Sequence, residues 1–137
     1  MHTEFAFVCD AAEATTKINA LGIGFDTVYA AQIPVRHPHF SLVLQLRASP
    51  AETGQKKIEV SLVDEDGKDV ITPIQGQFSI PRTEGRAYGI GRFVMEFNSV
   101  EFKNYGTYTL AVTVEGMEVA SIPFRVLQPP KSLPSAS

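Results

Sequence analysis

The chain has one cysteine, no tryptophan and only three histidines. A lone thiol cannot close an intrachain disulfide, so packing must hold the fold. So few histidines and thiols leave little material for a zinc site. Long apolar runs are missing too. The N-terminal run Phe5-Ala6-Phe7-Val8-Cys9 is too short for the core of a signal peptide, and no run approaches the roughly 20 residues of a membrane span. Nor is there a large excess of one charge. Twelve Lys and Arg against fifteen Asp and Glu give a formal net charge of -3, which argues against nucleic acid and anionic membrane as partners. These absences point to a soluble protein of the cytoplasm.

What is present suits one domain: 137 residues, 44% hydrophobic and 20% charged. A chain of that length hides roughly 68% of its unfolded surface and needs no metal or disulfide staple. The dominant period is two. Phe40, Leu42, Leu44 and Leu46 alternate with Ser41, Val43, Gln45 and Arg47, as a half-buried strand does. The pattern recurs at Ile58, Val60 and Leu62, at Phe93, Met95 and Phe97, and at Tyr108, Leu110, Val112 and Val114. Shorter candidates cover residues 4–9, 17–23, 27–31 and 77–80. Asp66-Gly67 and Glu115-Gly116 provide hairpin turns, which predicts hairpins over 57–74 and 106–126. Pro123 cannot donate to a ladder, so its strand belongs at an edge or carries a bulge. Only residues 10–13 compete for helix, through the capping-box spacing of Asp10 and Glu13, and one or two turns is the most the chain allows. The expectation is an all-β domain over 1–127, a two-sheet antiparallel sandwich of immunoglobulin-like or C2-like form, with a disordered Pro/Ser-rich tail at 128–137.

Asn104-Tyr105-Gly106-Thr107-Tyr108-Thr109-Leu110 resembles the immunoglobulin corner motif, in which a tyrosine hydroxyl bonds back to the backbone. Leu110 stands where that motif has cysteine. A longer resemblance runs through Cys9-Asp10, Gly22, Gly24-Phe25-Asp26, Leu44-Gln45-Leu46-Arg47 and Leu62-Val63-Asp64-Glu65-Asp66-Gly67. It continues through Pro73-Ile74-Gln75-Gly76-Gln77-Phe78, Gly106-Thr107-Tyr108 and Pro123-Phe124-Arg125-Val126. In that order these landmarks resemble an uncharacterised bacterial family of small soluble β-sandwich proteins. The resemblance implies no activity, cofactor or catalytic residue, and favours an interaction domain over an enzyme.

Four features bear on chemistry. His37-Pro38-His39 puts two imidazoles on one face of an extended chain, half of a metal site, with His2 and Cys9 the only further candidates; two solvated histidines at a strand start is the simpler reading. Asp64-Glu65-Asp66-Gly67-Lys68-Asp69 could hold calcium as C2 loops do, but calcium wants about six to eight oxygens and no second acidic loop supplies the rest. Cys9 reads as a small core residue. Gly22-Ile23-Gly24 lacks the third glycine of a dinucleotide loop, and no metalloprotease or serine-hydrolase motif occurs.

The most suggestive stretch is residues 81–93, where Arg82, Arg86 and Arg92 flank Tyr88 among Gly85, Gly89 and Gly91. Arginine and tyrosine are the types in which interface energy concentrates, and the glycines would let a partner approach the backbone. An echo of an RNA-binding strand motif is broken at Ala87 and Gly91. The reading is a non-catalytic binding or protein-interaction module, with no metal, no cofactor, an unidentified protein partner, and Arg82, Arg86, Tyr88 and Arg92 as its binding residues. The rivals are a small enzyme and a calcium-dependent lipid-binding C2-like domain.

Overall fold

Apolar side chains repeating at a period of two give each strand one face to hide, and the fold is the arrangement that hides them all. The computed structural model describes residues 1–82 and 84–130, and among these the chain is all-β. The strands are β1 (His2–Cys9), β2 (Ala11–Ala14), β3 (Ile18–Leu21), β4 (Thr27–Tyr29), β5 (Val35–Ala48), β6 (Gly54–Val63), β7 (Ile74–Ile80), β8 (Gly89–Phe102), β9 (Gly106–Val114) and β10 (Met117–Leu127). They form sheets ordered β1-β5-β8, β4-β10-β9-β6-β7 and β2-β3. Among the described residues no helix is long and apolar enough to cross a membrane.

The two larger sheets share one core. Phe40, Leu42, Leu44 and Leu46 of β5 and Phe97, Val100 and Phe102 of β8 join Val60, Leu62, Leu110, Val112, Phe124 and Val126 of the five-stranded sheet in a single buried cluster. The expected alternation at 93, 95 and 97 changes phase at Ser99, whose φ of 54° turns the chain so that Val100 and Phe102 follow Phe97 inward. Pro38 of β5 lies opposite, between the paired positions His37 with Val100 and His39 with Asn98. Both strands therefore change faces together and stay in register.

The third sheet corrects the two-sheet expectation. Residues 10–13 do not begin a helix: Ala11–Ala14 pairs with Ile18–Leu21 as an antiparallel hairpin. Local helix spacing gives way here because β-branched Thr15 and Thr16 end the run and the backbone finds strand partners instead. β2 packs across β5 and β8. Ser41, Val43 and Cys9, on the face of β1 and β5 turned away from the main core, are consequently buried to 0% exposure. Among the described residues the one helical turn is a 3-10 turn at Pro50–Glu52, where the Glu52 carboxylate accepts from the Ser49 N–H and hydroxyl, each at 3.0 Å.

Both hairpins form. The β9–β10 turn sits on Glu115 and Gly116 at φ 51° and 78°. Between β6 and β7 the bridge from Val63 to Asp69 closes a small loop before the chain reaches Ile74. Pro123 pairs with Thr109 on one side, while β4 reaches only Arg125, Val126 and Leu127 on the other. The missing N–H therefore falls where β10 has one strand neighbour. Of the expected tail, Gln128, Pro129 and Pro130 are exposed and without regular structure; residues 131–137 lie outside the described residues.

The Tyr108 hydroxyl donates to the Asn104 carbonyl at 2.6 Å, with the ring 3% exposed. Tyr108→Phe is expected to cost about 1–2 kcal/mol in denaturant unfolding, the worth of a hydrogen bond whose loss strands a buried acceptor. Burial, aided by the charges of Asp64 and Glu65 and opposed by the Asn104 bond, pushes this hydroxyl above its ordinary value of 10.0. The folded state thus favours the neutral phenol. The benefit is complete below pH 10 and lost as pH rises through the folded value, so Tyr108→Phe should flatten the alkaline fall in melting temperature. Leu110, 0% exposed, allows no charge. Leu110→Asp forfeits about 1.5–3 kcal/mol of burial and adds an unpaired ion, and circular dichroism should show an unfolded chain.

Candidate functional site

Residues 81–88 carry the chain from β7 in one large sheet to β8 in the other, and they hold Arg82, Arg86 and Tyr88, three of the four side chains singled out above. The strand bounds shorten this loop. Gly89 and Gly91 are buried in β8, not free to receive a partner. A Cβ on Gly91 would stand 2.6 Å from Cγ1 of Ile80, and one on Gly89 would strike the Pro81 carbonyl oxygen. These glycines admit the chain's own β7 and its exit; of the three, only Gly85, at φ 78°, serves an exposed turn.

The four expected binding residues separate into three places. Arg82 and Arg86 are exposed and line one open concavity of about 550 Å³ with Glu84 and Gly85. Tyr88, 38% exposed, lies under the Arg47 guanidinium, 5.4 Å from carbon to ring centroid. Arg92 sits within β8, half-buried and opposite Gln45. Arg47 was missed because nothing local reveals its neighbour. It is the last outward residue of the 40–46 alternation, and only the β5–β8 register, which sets Arg47 against Ile90, brings it beside Tyr88. The concavity beneath Tyr88 is walled by Met1, His2, Ser49 and Glu52. Glu52 accepts from the Met1 ammonium at 2.6 Å and from Ser49, and these contacts lower its pKa from 4.5 to about 2.

The other candidates take structural partners. The imidazoles of His37 and His39 do not share a face, because the strand changes phase at Pro38 between them. His37 packs against Phe25 and Phe40 at 6.2 and 5.9 Å, where burial lowers its pKa. His39 meets Asn98 Oδ1 at 2.9 Å and Ser41 Oγ at 3.4 Å. In the acidic turn, Asp64 Oδ1 accepts the N–H groups of Asp66 and Lys68 at 2.9 and 3.0 Å. Glu65 accepts the Thr107 N–H at 2.7 Å and lies over Gly106, where a Cβ would stand 2.6 Å from its Oε1. Those two carboxylates brace the loop against the start of β9. Burial raises the Cys9 thiol pKa. Gly22 and Gly24, at φ 67° and 74°, turn the chain after β3, with Asp10 packed on Gly22. Among the described residues no three His, Cys, Asp or Glu side chains gather as metal ligands do.

Comparison with known proteins adds a family and a distant structural likeness. The model of a protein family of unknown function matches residues 4–127. No curated protein matches the chain. A solved structure, the Pseudomonas fluorescens alkylpurine DNA glycosylase AlkC bound to DNA containing an abasic site analog, aligns over 74% of this chain at 12% identity and a TM-score of 0.43. The chain spans 28% of the length of that protein.

Arg92 offers a direct check on how the site is built. Its Nε is buried without an acceptor among the described residues, a cost of about 1–3 kcal/mol that an apolar chain of similar length avoids. Arg92→Met keeps the packing of the alkyl stem. It should leave stability unchanged or raise it by up to about 1 kcal/mol in urea unfolding; a fall of that size would show the guanidinium to be engaged.

Proposed function

The chain belongs to the DUF6941 family of unknown function, and we propose that it works as a non-catalytic, immunoglobulin-like interaction module that engages a partner protein at the β7–β8 connection. The order β1-β5-β8 facing β10-β9-β6-β7 follows the immunoglobulin order A-B-E and G-F-C-C′. The bond from the Tyr108 hydroxyl back to the Asn104 carbonyl is of the kind that the corner of that fold makes. Both support the immunoglobulin-like reading. Cys9, buried beneath β2 and unpaired, suits a reducing compartment, which supports a cytoplasmic setting.

The observation that carries the functional reading is the half-exposed Tyr88 held under Arg47, with Arg82 and Arg86 exposed on the same short loop. A tyrosine ring orders at little entropic cost, and guanidinium groups bring planar donor forks for carboxylates. Occupied inner faces leave recognition to the loops at the ends. The structural duties of Asp64 and Glu65 favour this reading over a calcium-dependent one.

The test is site-specific photo-crosslinking in the native host, with the photoreactive residue at position 88 and a control at exposed Glu96. One defined polypeptide should be captured at 88 alone, and Arg82→Ser with Arg86→Ser should cut its yield at least tenfold without moving the melting temperature. Equal capture at both positions, or capture indifferent to the arginines, would sink the proposal.

A further inference from the structure

The back of the β1-β5-β8 sheet is only half covered. β2 packs across β5 and β8, and at that end of the face Cys9, Ser41 and Val43 are fully buried. Further along the same face the cover stops. The pairing sets Phe5 opposite Gln45 and Gln45 opposite Arg92, with Phe7 the next outward residue toward the hairpin and Arg47 the next toward the β7–β8 loop. Phe5 is 36% exposed and stacks on Phe7, with ring centroids 5.8 Å apart and planes at 22°. Gln45 and Arg92 are half-buried and Arg47 is exposed. The solvent face of an antiparallel sheet ordinarily carries polar residues. Here a pair of stacked rings lies outward beside two guanidinium groups, the side-chain types in which contact energy concentrates.

Resting on the reading of the chain as an interaction module, we infer that this face binds an extended acidic segment of the partner protein, with carboxylates on Arg47 and Arg92 and an aromatic side chain on Phe5. Charge gives the sign. The one carboxylate among these rings, Glu4, already accepts from Gln45 Nε2 at 3.3 Å, which leaves the two guanidinium groups to an incoming anion. Arg92 is half-buried, and a partly desolvated cation attracts an anion more strongly than one in water. Spacing gives the form. Arg47 stands opposite Ile90 and Gln45 opposite Arg92, so the two arginines are diagonal neighbours, roughly 7–8 Å apart. Alternate residues of an extended chain are roughly 6.5–7 Å apart, so carboxylates two residues apart reach both. The same face disfavours nucleic acid. Glu4 beside Phe5, and Glu96 outward on β8, repel an evenly charged phosphate backbone, whereas a polypeptide keeps its charges at the two arginines and stays neutral elsewhere.

The probe is a fluorescently labelled copolymer of glutamate and tyrosine, read by anisotropy against the whole chain. Binding should saturate, and should be at least tenfold tighter than that of polyglutamate, which has no rings, or of oligothymidylate, which stacks but carries phosphate. Arg92→Met, Arg47→Gln and Phe5→Thr should each weaken it about fivefold or more. Arg47→Gln changes an exposed side chain and should keep the native melting temperature, so a loss of binding there is not a loss of fold. Arg82→Ser with Arg86→Ser should change binding of this probe less than twofold. Loss confined to that loop variant would overturn the inference and leave the β7–β8 reading standing; loss confined to the face variants supports it even where no polypeptide is captured at position 88. Binding that never saturates, tighter binding of oligothymidylate, or indifference to all three face variants would overturn it. So would a dimer in sedimentation velocity that Phe5→Thr dissolves, which would make a second copy the occupant.

Discussion

The rest of the molecule depends on one aromatic cluster shared by the two large sheets. Phe40 of β5 stacks on Phe97 of β8 at 4.7 Å, and Phe124 of β10 meets Phe40, Phe102 and Tyr108 at about 6 Å in edge and stacked contacts. Phe25, from the segment before β4, closes it against Phe40 and Phe124. Offset and edge-on pairs of this kind add about 0.5–1.5 kcal/mol each beyond their burial. More to the point, they have direction: a ring that must meet another edge-on fixes the separation and rotation of the strands carrying both. Tyr108 belongs to this cluster through its ring and to the 104–106 corner through its hydroxyl, so the core and the loops at that end are held by one side chain.

A second constraint acts where the sheets meet at the other end. Gly91 and Gly89 bring β8 close to Ile80 and Pro81, closer than any side chain permits. That contact pins both ends of residues 81–88. A loop held at each end can present Arg82, Arg86 and Tyr88 on a stable base, and the β5–β8 register then adds Arg47. The hairpin of β2 and β3 is different in kind. β2 lies on the back of the three-stranded sheet and shields Ser41, Val43 and Cys9, while β3 hangs from it with its second edge unpaired among the described strands.

Much of this could be read in the chain. Strands at 40–46, 58–62 and 108–114 announce themselves because inward and outward residues must alternate, and the Glu115-Gly116 turn because few residue types accept positive φ. The bond from the Tyr108 hydroxyl back to the backbone at Asn104 was legible in the spacing between them. The helical turn also left a signal that went unread, since Ser49-Pro50-Ala51-Glu52 has both the capping-box spacing and proline at the first position. By contrast, residues 10–13 have similar spacing and form a strand, because that segment finds a partner strand to satisfy its backbone. Local preference is worth tenths of a kcal/mol per residue, and a ladder of hydrogen bonds outweighs it.

The sequence by itself determined the class of fold, the strands with strict alternation, the sites of the tight turns and the end of the molecule where a tyrosine bonds back to the backbone. All of these follow from interactions within a few residues. Only the tertiary structure decided that a third sheet covers the back of β5, that His37 and His39 part company at Pro38, that Arg47 belongs with Tyr88, and that Arg92 does not stand with Arg82 and Arg86. Each of these depends on register between strands distant in sequence. A shift of one residue in pairing exchanges the two faces of a strand, and a period-two pattern fixes which residues face together without saying what they face.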